Sequence, residues 1–242
     1  MNPITVIPAR MAATRLPGKP LAEIGGLPMI VQVLRRAEAA NVGPVAVAAG
    51  DTEIVEAVER AGGRAVLTDP ALPSGSDRIR AALAELDPKG RHDLVINLQG
   101  DMPLIAPRTI QALVRLFEDH PRLQMGTLVA PESSPADRSN PDVVKAVLSL
   151  AREARYGRAL YFTRSTLYGD EPVWRHIGIY GYRPDALERF TAGQPTPLEK
   201  REKLEQLRAL ELGVEIWAAI VDEAPVSVDT PADLEAARAM AG

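Results

Sequence analysis

This sequence predicts a doubly wound, Rossmann-like α/β domain: a mostly parallel sheet with helices on both faces. Two observations carry the prediction. Short β-branched runs alternate with amphipathic helical patterns through the first half of the chain. Repeated strand–helix–strand units require right-handed crossovers, which set parallel strands side by side between two helical layers. The bulk composition agrees, because 242 residues with 46% hydrophobic and 25% charged side chains suffice for one large domain with a full core.

Ile4 to Ile7, Val45 to Ala49, Ala65 to Thr68 and Leu94 to Leu98 read as strands. Between them, Pro28 to Ala40 places Ile30, Val33, Leu34 and Ala37 on one helical face, with Pro28 suited to the first turn. Thr52 to Ala61 does the same with Ile54, Val55 and Val58, and Gly62-Gly63 stops it. The second half is less regular. Leu128 to Ala130 is followed by a polar Pro131 to Pro141 loop, suited to a lid or a dimer arm. Strands are expected at Val143 to Leu148, His176 to Tyr182 and Val214 to Val221, a helix over Pro197 to Leu212, and a last helix after Thr230. The expected organisation is one domain over 1–242, with a substrate-binding and dimerisation insertion at roughly 131–195.

Composition narrows the chemistry. There is no cysteine, so disulfides, thiol nucleophiles and cysteine-ligated metals are excluded, and a hard, oxygen-liking ion such as Mg²⁺ is favoured. A formal charge of −4 with 4% aromatic residues argues against a general nucleic-acid surface. No run of 18 apolar residues suggests a membrane span, and Met1-Asn2-Pro3-Ile4 lacks the pattern of a signal peptide. A cytoplasmic protein is expected.

The first strand runs into Pro8-Ala-Arg10-Met-Ala-Ala-Thr-Arg15-Leu-Pro-Gly18-Lys19-Pro20, which puts three cations on one loop at the carboxyl end of a strand. Open α/β sheets bind ligands at that edge. A nucleoside triphosphate calls for Arg forks and a Lys point charge. No Walker loop and no G-x-G-x-x-G occurs, so phosphate recognition must rest on side chains. Gln99-Gly100-Asp101 ends the Leu94 to Leu98 strand at the same edge, which turns Asp101 towards the phosphates. Near the other end of the chain, Thr230 suits a helix N-cap, with Pro231 in the first turn and Asp233 three residues after the cap. That leaves Asp229 available for another task.

The string I-P-A-R-x-x-A-T-R-L-P-G-K-P-L resembles the signature of the Kdo (3-deoxy-manno-octulosonate) cytidylyltransferase, or CMP-Kdo synthetase, family. Further matching motifs follow in the family's order: Ser74-Gly75-Ser76-Asp77-Arg78, Asn97-Leu-Gln99-Gly100-Asp101, Asn140-Pro141, Val144-Lys145, Tyr161-Phe-Thr-Arg164, Arg175-His176-Ile-Gly-Ile-Tyr180-Gly-Tyr182, Pro197-Leu-Glu199, Leu204-Glu205-Gln206-Leu-Arg208 and Val228-Asp229-Thr-Pro-x-Asp233-Leu. Resemblance therefore covers nearly the whole chain. Two departures stand out: Leu72 where the family commonly has His, and Met102 where it commonly has Glu.

The resemblance implies a nucleotide-diphospho-sugar transferase-like fold and a Mg²⁺-dependent enzyme. That enzyme would transfer CMP from CTP to the anomeric hydroxyl of Kdo for lipopolysaccharide synthesis and act as a homodimer. CMP activation of amino-Kdo or a sialic acid is the neighbouring alternative; a non-catalytic nucleotide sensor is disfavoured because Arg10, Lys19 and Asp101 are all present. By the same resemblance Arg10, Lys19 and Asp101 are catalytic, and Asp101 and Asp229 hold the metal. Arg10, Arg15, Lys19, Ser74, Gly75, Arg78 and Gln99 bind the nucleotide. Gln99, Arg164, His176, Tyr180, Glu205 and Gln206 bind the sugar, with Arg164 the anchor for its carboxylate. The charges from Glu199 to Leu204 read as a solvated helix surface, and of the residues from Glu199 to Gln206 two, Glu205 and Gln206, are candidates.

Overall fold

Pro3–Ala9 is a run of apolar and β-branched residues, and it forms β1 with every residue buried. Its surroundings follow from a computed structural model in which residues 1–12, 15–132, 134–169 and 172–241 are described. Ala13 and Thr14 of the basic loop and Ser133 of the polar loop lie outside the described residues. After β1, a short 3-10 turn at Lys19–Leu21 leads to the two-residue strands β2 (Glu23–Ile24) and β3 (Leu27–Pro28). Helix α1 (Met29–Ala39) buries Ile30, Val33, Leu34 and Ala37 as its spacing predicts, with Pro28 at the N-cap position. Strand β4 (Val45–Ala49), helix α2 (Thr52–Arg60) and strand β5 (Ala65–Leu67) follow. Gly62 ends α2 at φ 76°, a left-handed conformation that favours glycine. Helix α3 (Gly75–Leu86) and strand β6 (Leu94–Leu98) complete this half.

The four strands of this unit run parallel in the order β5-β4-β1-β6. Crossover helices connect them, as the alternating pattern requires.

Helix α4 (Pro107–Asp119) contains the division between two compact units, 1–111 with 225–242, and 112–224. The second unit holds β7 (Met125–Glu132), the short α5 (Pro135–Ser139), β8 (Lys145–Ser149), β9 (Tyr156–Thr163) and β10 (Val173–Tyr182). Next come α6 (Pro184–Ala192), α7 (Pro197–Glu202), α8 (Gln206–Glu211) and β11 (Ile216–Ile220). Its strands run β10-β7-β11-β9-β8, and β8 also pairs with β10, which closes the circuit. Pairing here is mostly antiparallel; β11 with β7 is parallel. The unit contains the whole 131–195 stretch marked as an insertion and extends past it at both ends, because β7 begins at Met125 and β11 ends at Ile220.

One local expectation is corrected, and one strand had none to match it. The helix expected over Pro197 to Leu212 is broken at Lys203, which adopts φ 56°, ψ 45° and separates α7 from α8. Strand β9 was not signalled, because Tyr156-Gly-Arg-Ala-Leu-Tyr-Phe-Thr interrupts its apolar alternation with Gly157 and Arg158. The chain finally returns to the first unit as α9 (Pro231–Ala241). There Val228, Leu234 and Ala237 join Ile24 and Met29 in a buried cluster. No helix among the described residues is long and apolar enough to cross a membrane.

Candidate active site

The basic loop leaves the end of β1 and is pinned at its start, where the Met11 amide donates to Asp51 Oδ2 at 2.7 Å. One pocket in this unit is lined by Arg10, Lys19, Ser74, Gly75, Arg78, Gln99 and Asp101. Arg10 is exposed on its rim and makes no hydrogen bond or ion pair with a described residue, so its guanidinium is open to an anion. Ser74 caps α3 by accepting from the Asp77 amide at 3.2 Å. Gly75 opens that helix; a Cβ there would come within 3.2 Å of Pro8 and face Gln99 Oε1 at 4.0 Å, so glycine keeps this wall low. Gln99 donates to Asn97 Oδ1 at 2.8 Å, which fixes its amide.

Arg78 lines the pocket, but its guanidinium is already engaged. It donates to Thr68 Oγ1 at 2.6 Å and to the carbonyls of Asp69 and Pro70 at 3.1 and 3.4 Å. Burial, then the nearby Arg10 charge, push its pKa below the ordinary arginine value. Gly50 makes room for it, since a Cβ there would meet Arg78 Nη1 at 2.8 Å. The geometry makes Arg78 the support of the 68–70 turn. Leu72 lines the pocket and Met102 is buried, so both departures from the family pattern lie at or beside this site.

Lys19 joins the two carboxylates singled out above, with its Nζ 3.1 Å from both Asp101 Oδ2 and Asp229 Oδ1. Arg15 reaches Asp229 Oδ1 at 3.2 Å. The fold accounts for the meeting of residues so distant in sequence. The Val228 amide donates to the Asp101 carbonyl at 2.8 Å, and the apolar cluster under α9 holds the returning chain. The cap of α9 is supplied by Thr230 and Asp233: Asp233 Oδ2 accepts from the Thr230 amide at 2.8 Å and from the Asp229 amide at 3.0 Å. The Asp229 carboxylate is thereby left to face Lys19.

Burial raises the pKa of Asp101; Lys19 opposes that rise and the Asp229 charge reinforces it. Two carboxylates turned to one point suit a hard divalent cation, and the Lys19 ammonium marks where positive charge is accepted. No described group of three or more His, Asp or Glu side chains could hold a metal ion, so any ion here must complete its shell with phosphate and water oxygens.

The sugar candidates lie in the second unit. On β10, His176 and Tyr180 have ring centroids 5.4 Å apart, and Phe162 packs edge-on to His176 at 5.0 Å. Burial pushes the His176 pKa down to about 3, so the ring is neutral at physiological pH. Burial raises Tyr180 well above the ordinary tyrosine value, and the Tyr182 hydroxyl and the Glu205 carboxylate add to the shift. Gln206 is 4% exposed, and its Nε2 has no hydrogen-bond partner among the described residues.

Arg164 is held through its backbone. Lys145, fully buried, donates from Nζ to the carbonyls of Arg164 (2.9 Å) and Asn140 (2.8 Å). Glu202 Oε2 accepts from the Arg164 amide at 3.2 Å and from Thr163 Oγ1 at 3.1 Å. The Arg164 guanidinium itself reaches the Pro141 carbonyl at 2.9 Å. The His176 amide donates to Val144 O at 2.9 Å, so residues 144 and 145 tie Arg164 to His176.

Lys145, Glu202 and Glu199 were missed as supporting residues. Val144-Lys145 and Pro197-Leu-Glu199 were visible as motifs without roles for Lys145 or Glu199, while Glu202 was hidden in what read as solvated charge. In fact Glu199 and Arg208 form a nearly enclosed pair, at 2.8 and 2.6 Å.

Comparison with known proteins gives the family of the chain. Residues 4–216 match the sequence model of the family described as Cytidylyltransferase. The chain is 58% identical to the 3-deoxy-manno-octulosonate cytidylyltransferase of Parvibaculum lavamentivorans, covering 98% of this chain and 92% of that one. It is 56% identical to the protein of that name from Rhodospirillum centenum, covering 99% and 93%. Among solved structures it is similar to a CMP:2-keto-3-deoxy-manno-octonic acid synthetase complexed with CTP, with a TM-score of 0.91, 37% identity and coverage of 99% and 98%.

Proposed function

This chain belongs to the 3-deoxy-manno-octulosonate cytidylyltransferase family, and from that premise we infer that it transfers CMP from CTP to the anomeric hydroxyl of Kdo, releasing pyrophosphate. The carrying observation is the Lys19–Asp101–Asp229 cluster beside the pocket lined by Arg10, Ser74, Gly75 and Gln99. CMP activation of amino-Kdo or sialic acid is not favoured, since the relatives above are named for Kdo itself.

Arg10 and Lys19, with Arg15 at the cluster's edge, neutralise the triphosphate and the pyrophosphate that leaves. Ser74, Gly75 and Gln99 hold the cytosine end. Asp101 and Asp229 would hold Mg²⁺, which supplies charge neutralisation on the phosphate oxygens when bound. Arg164 takes the carboxylate of the acid, and His176, Tyr180, Glu205 and Gln206 take its hydroxyls. Gln206 has an unpaired buried amide to offer. The acceptor hydroxyl attacks the α-phosphorus, the bond to the β-phosphate oxygen breaks, and the hydroxyl proton is lost to solvent. Alignment and electrostatics supply most of the acceleration. The same reading makes the protein a cytoplasmic homodimer whose second unit carries the sugar.

Purified protein with Mg²⁺, each of four nucleoside triphosphates and a panel of sugar acids should release pyrophosphate with CTP and Kdo. A preference for ATP or GTP, or inactivity with every Kdo-like acid, overturns the reading.

Arg164→Ala should raise the KM for Kdo by about 10- to 150-fold, the equivalent of a lost hydrogen bond to charge, about 1.5 to 3 kcal/mol. CTP affinity, measured by calorimetry, should be unchanged. Equal damage to both would move Arg164 out of the acceptor site.

A further inference from the structure

Thr127 lies on β7 and is fully buried. Its Oγ1 sits 2.8 Å from the Ile179 carbonyl, 3.2 Å from the Ile177 carbonyl and 3.1 Å from His176 Nε2. The pairing of β10 with β7 shifts register between Ile177 and Tyr180, and this irregularity brings both carbonyls to one hydroxyl.

A threonine hydroxyl has one hydrogen to give. Carbonyl oxygens can accept and cannot donate, so an oxygen–oxygen separation of 2.8 Å requires that hydrogen to point at Ile179. Towards His176 the hydroxyl is left to accept. Nε2 must then carry the imidazole proton, and the neutral ring leaves Nδ1 bare as an acceptor. No other hydrogen bond of this ring involves a described residue, and His176 as a residue is of intermediate burial.

We propose that Thr127 is a positioning residue that locks His176 in its Nε2–H tautomer, so that Nδ1 accepts a hydrogen bond from a hydroxyl of the acceptor sugar acid. This rests on the acceptor site lying where Proposed function places it. The consequence is selectivity by polarity. A bare ring nitrogen attracts a hydroxyl donor and repels a carboxylate, so His176 steers hydroxyls towards itself and leaves the acid group to Arg164. Phe162 and Tyr180 hold the ring plane in which that lone pair lies.

The test combines nitrogen-15 NMR of the His176 ring in the intact protein with steady-state kinetics. The wild type should show a protonated Nε2 and an unprotonated Nδ1, unchanged between about pH 5 and 8, the range in which an ordinary histidine titrates. Thr127→Val keeps the shape but removes the acceptor. It should release the tautomer and raise the KM for Kdo about tenfold, as for one lost neutral hydrogen bond, with little change in the KM for CTP. Thr127→Ser returns the hydroxyl and should restore the wild-type spectrum and most of the KM, which separates the tautomer effect from loss of packing. A protonated Nδ1 in the wild type, or an active Thr127→Val enzyme with unaltered KM for Kdo, overturns the inference. A wild type that turns over no Kdo-like acid with CTP, whatever its spectrum, overturns the reading of the site on which it rests.

Discussion

Asp101→Asn should lower kcat by about 10²- to 10³-fold at saturating CTP and Kdo while the fold survives, the range seen when a single preorganised electrostatic contact is removed. The amide keeps the shape of the carboxylate and gives up the charge that Lys19 and a divalent cation share. Asp229→Asn should do the same, because its Oδ1 meets the same ammonium at the same distance. If the two carboxylates act as one unit, the double variant should be little worse than the poorer single one. Multiplicative losses would mean separate tasks. Melting temperatures should move little in either variant, since the α9 cap is made by Thr230 and Asp233 and not by the Asp229 carboxylate. An Asp229→Asn protein that melts far earlier yet retains wild-type activity would return Asp229 to a structural role.

Arg208→Met should destabilise the protein by about 3 to 5 kcal/mol in denaturant unfolding, because it leaves a nearly enclosed Glu199 without its charge partner. The Arg208 side chain is 6% exposed and that of Glu199 13%, and two N–H groups meet the carboxylate in a fork. The guanidinium also lies over the Phe190 ring at 5.0 Å. Removing both members, as Glu199→Met with Arg208→Met, should cost less than the sum of the single changes. Arg158→Met, which opens the exposed Arg158–Glu215 pair, is the control and should cost no more than about 1 kcal/mol. A loss as small in Arg208→Met would show that the buried pair is not needed.

The pH dependence has a fixed sign. Burial raises the Glu199 pKa, but the Arg208 guanidinium, the Thr196 amide and Lys200 outweigh it and hold the carboxyl below the ordinary glutamate value. Its contribution is therefore present above that ordinary value and is lost as the pH falls through the lower, folded one. Because Arg208 shares α8 with Gln206, and Glu205 is that helix's N-cap, the same variant should also disturb both residues and raise the KM for Kdo.

Much of this site was legible in one dimension. Strand β1, helix α1 and the α9 cap follow from periodicity and capping residues, since such signals act over a few positions and need no knowledge of the rest of the chain. The cations on the basic loop, the absence of cysteine and the ordered motifs from Arg10 to Asp229 identified a nucleotide-activating chemistry before any fold was known. What tertiary structure alone decided is where long-range contacts put each group. Lys19 stands between Asp101 and Asp229 because α9 returns onto β2 and α1. Arg78 is consumed by the 68–70 turn, and Glu199 is enclosed with Arg208 although its local string is as charged as any solvated helix. Thr127 is an unremarked residue in the sequence, and it acquires a task because a strand irregularity fifty residues away brings two carbonyls and an imidazole to its single hydroxyl proton. Composition determines which groups a chain has to offer; only packing determines which partners they have already taken.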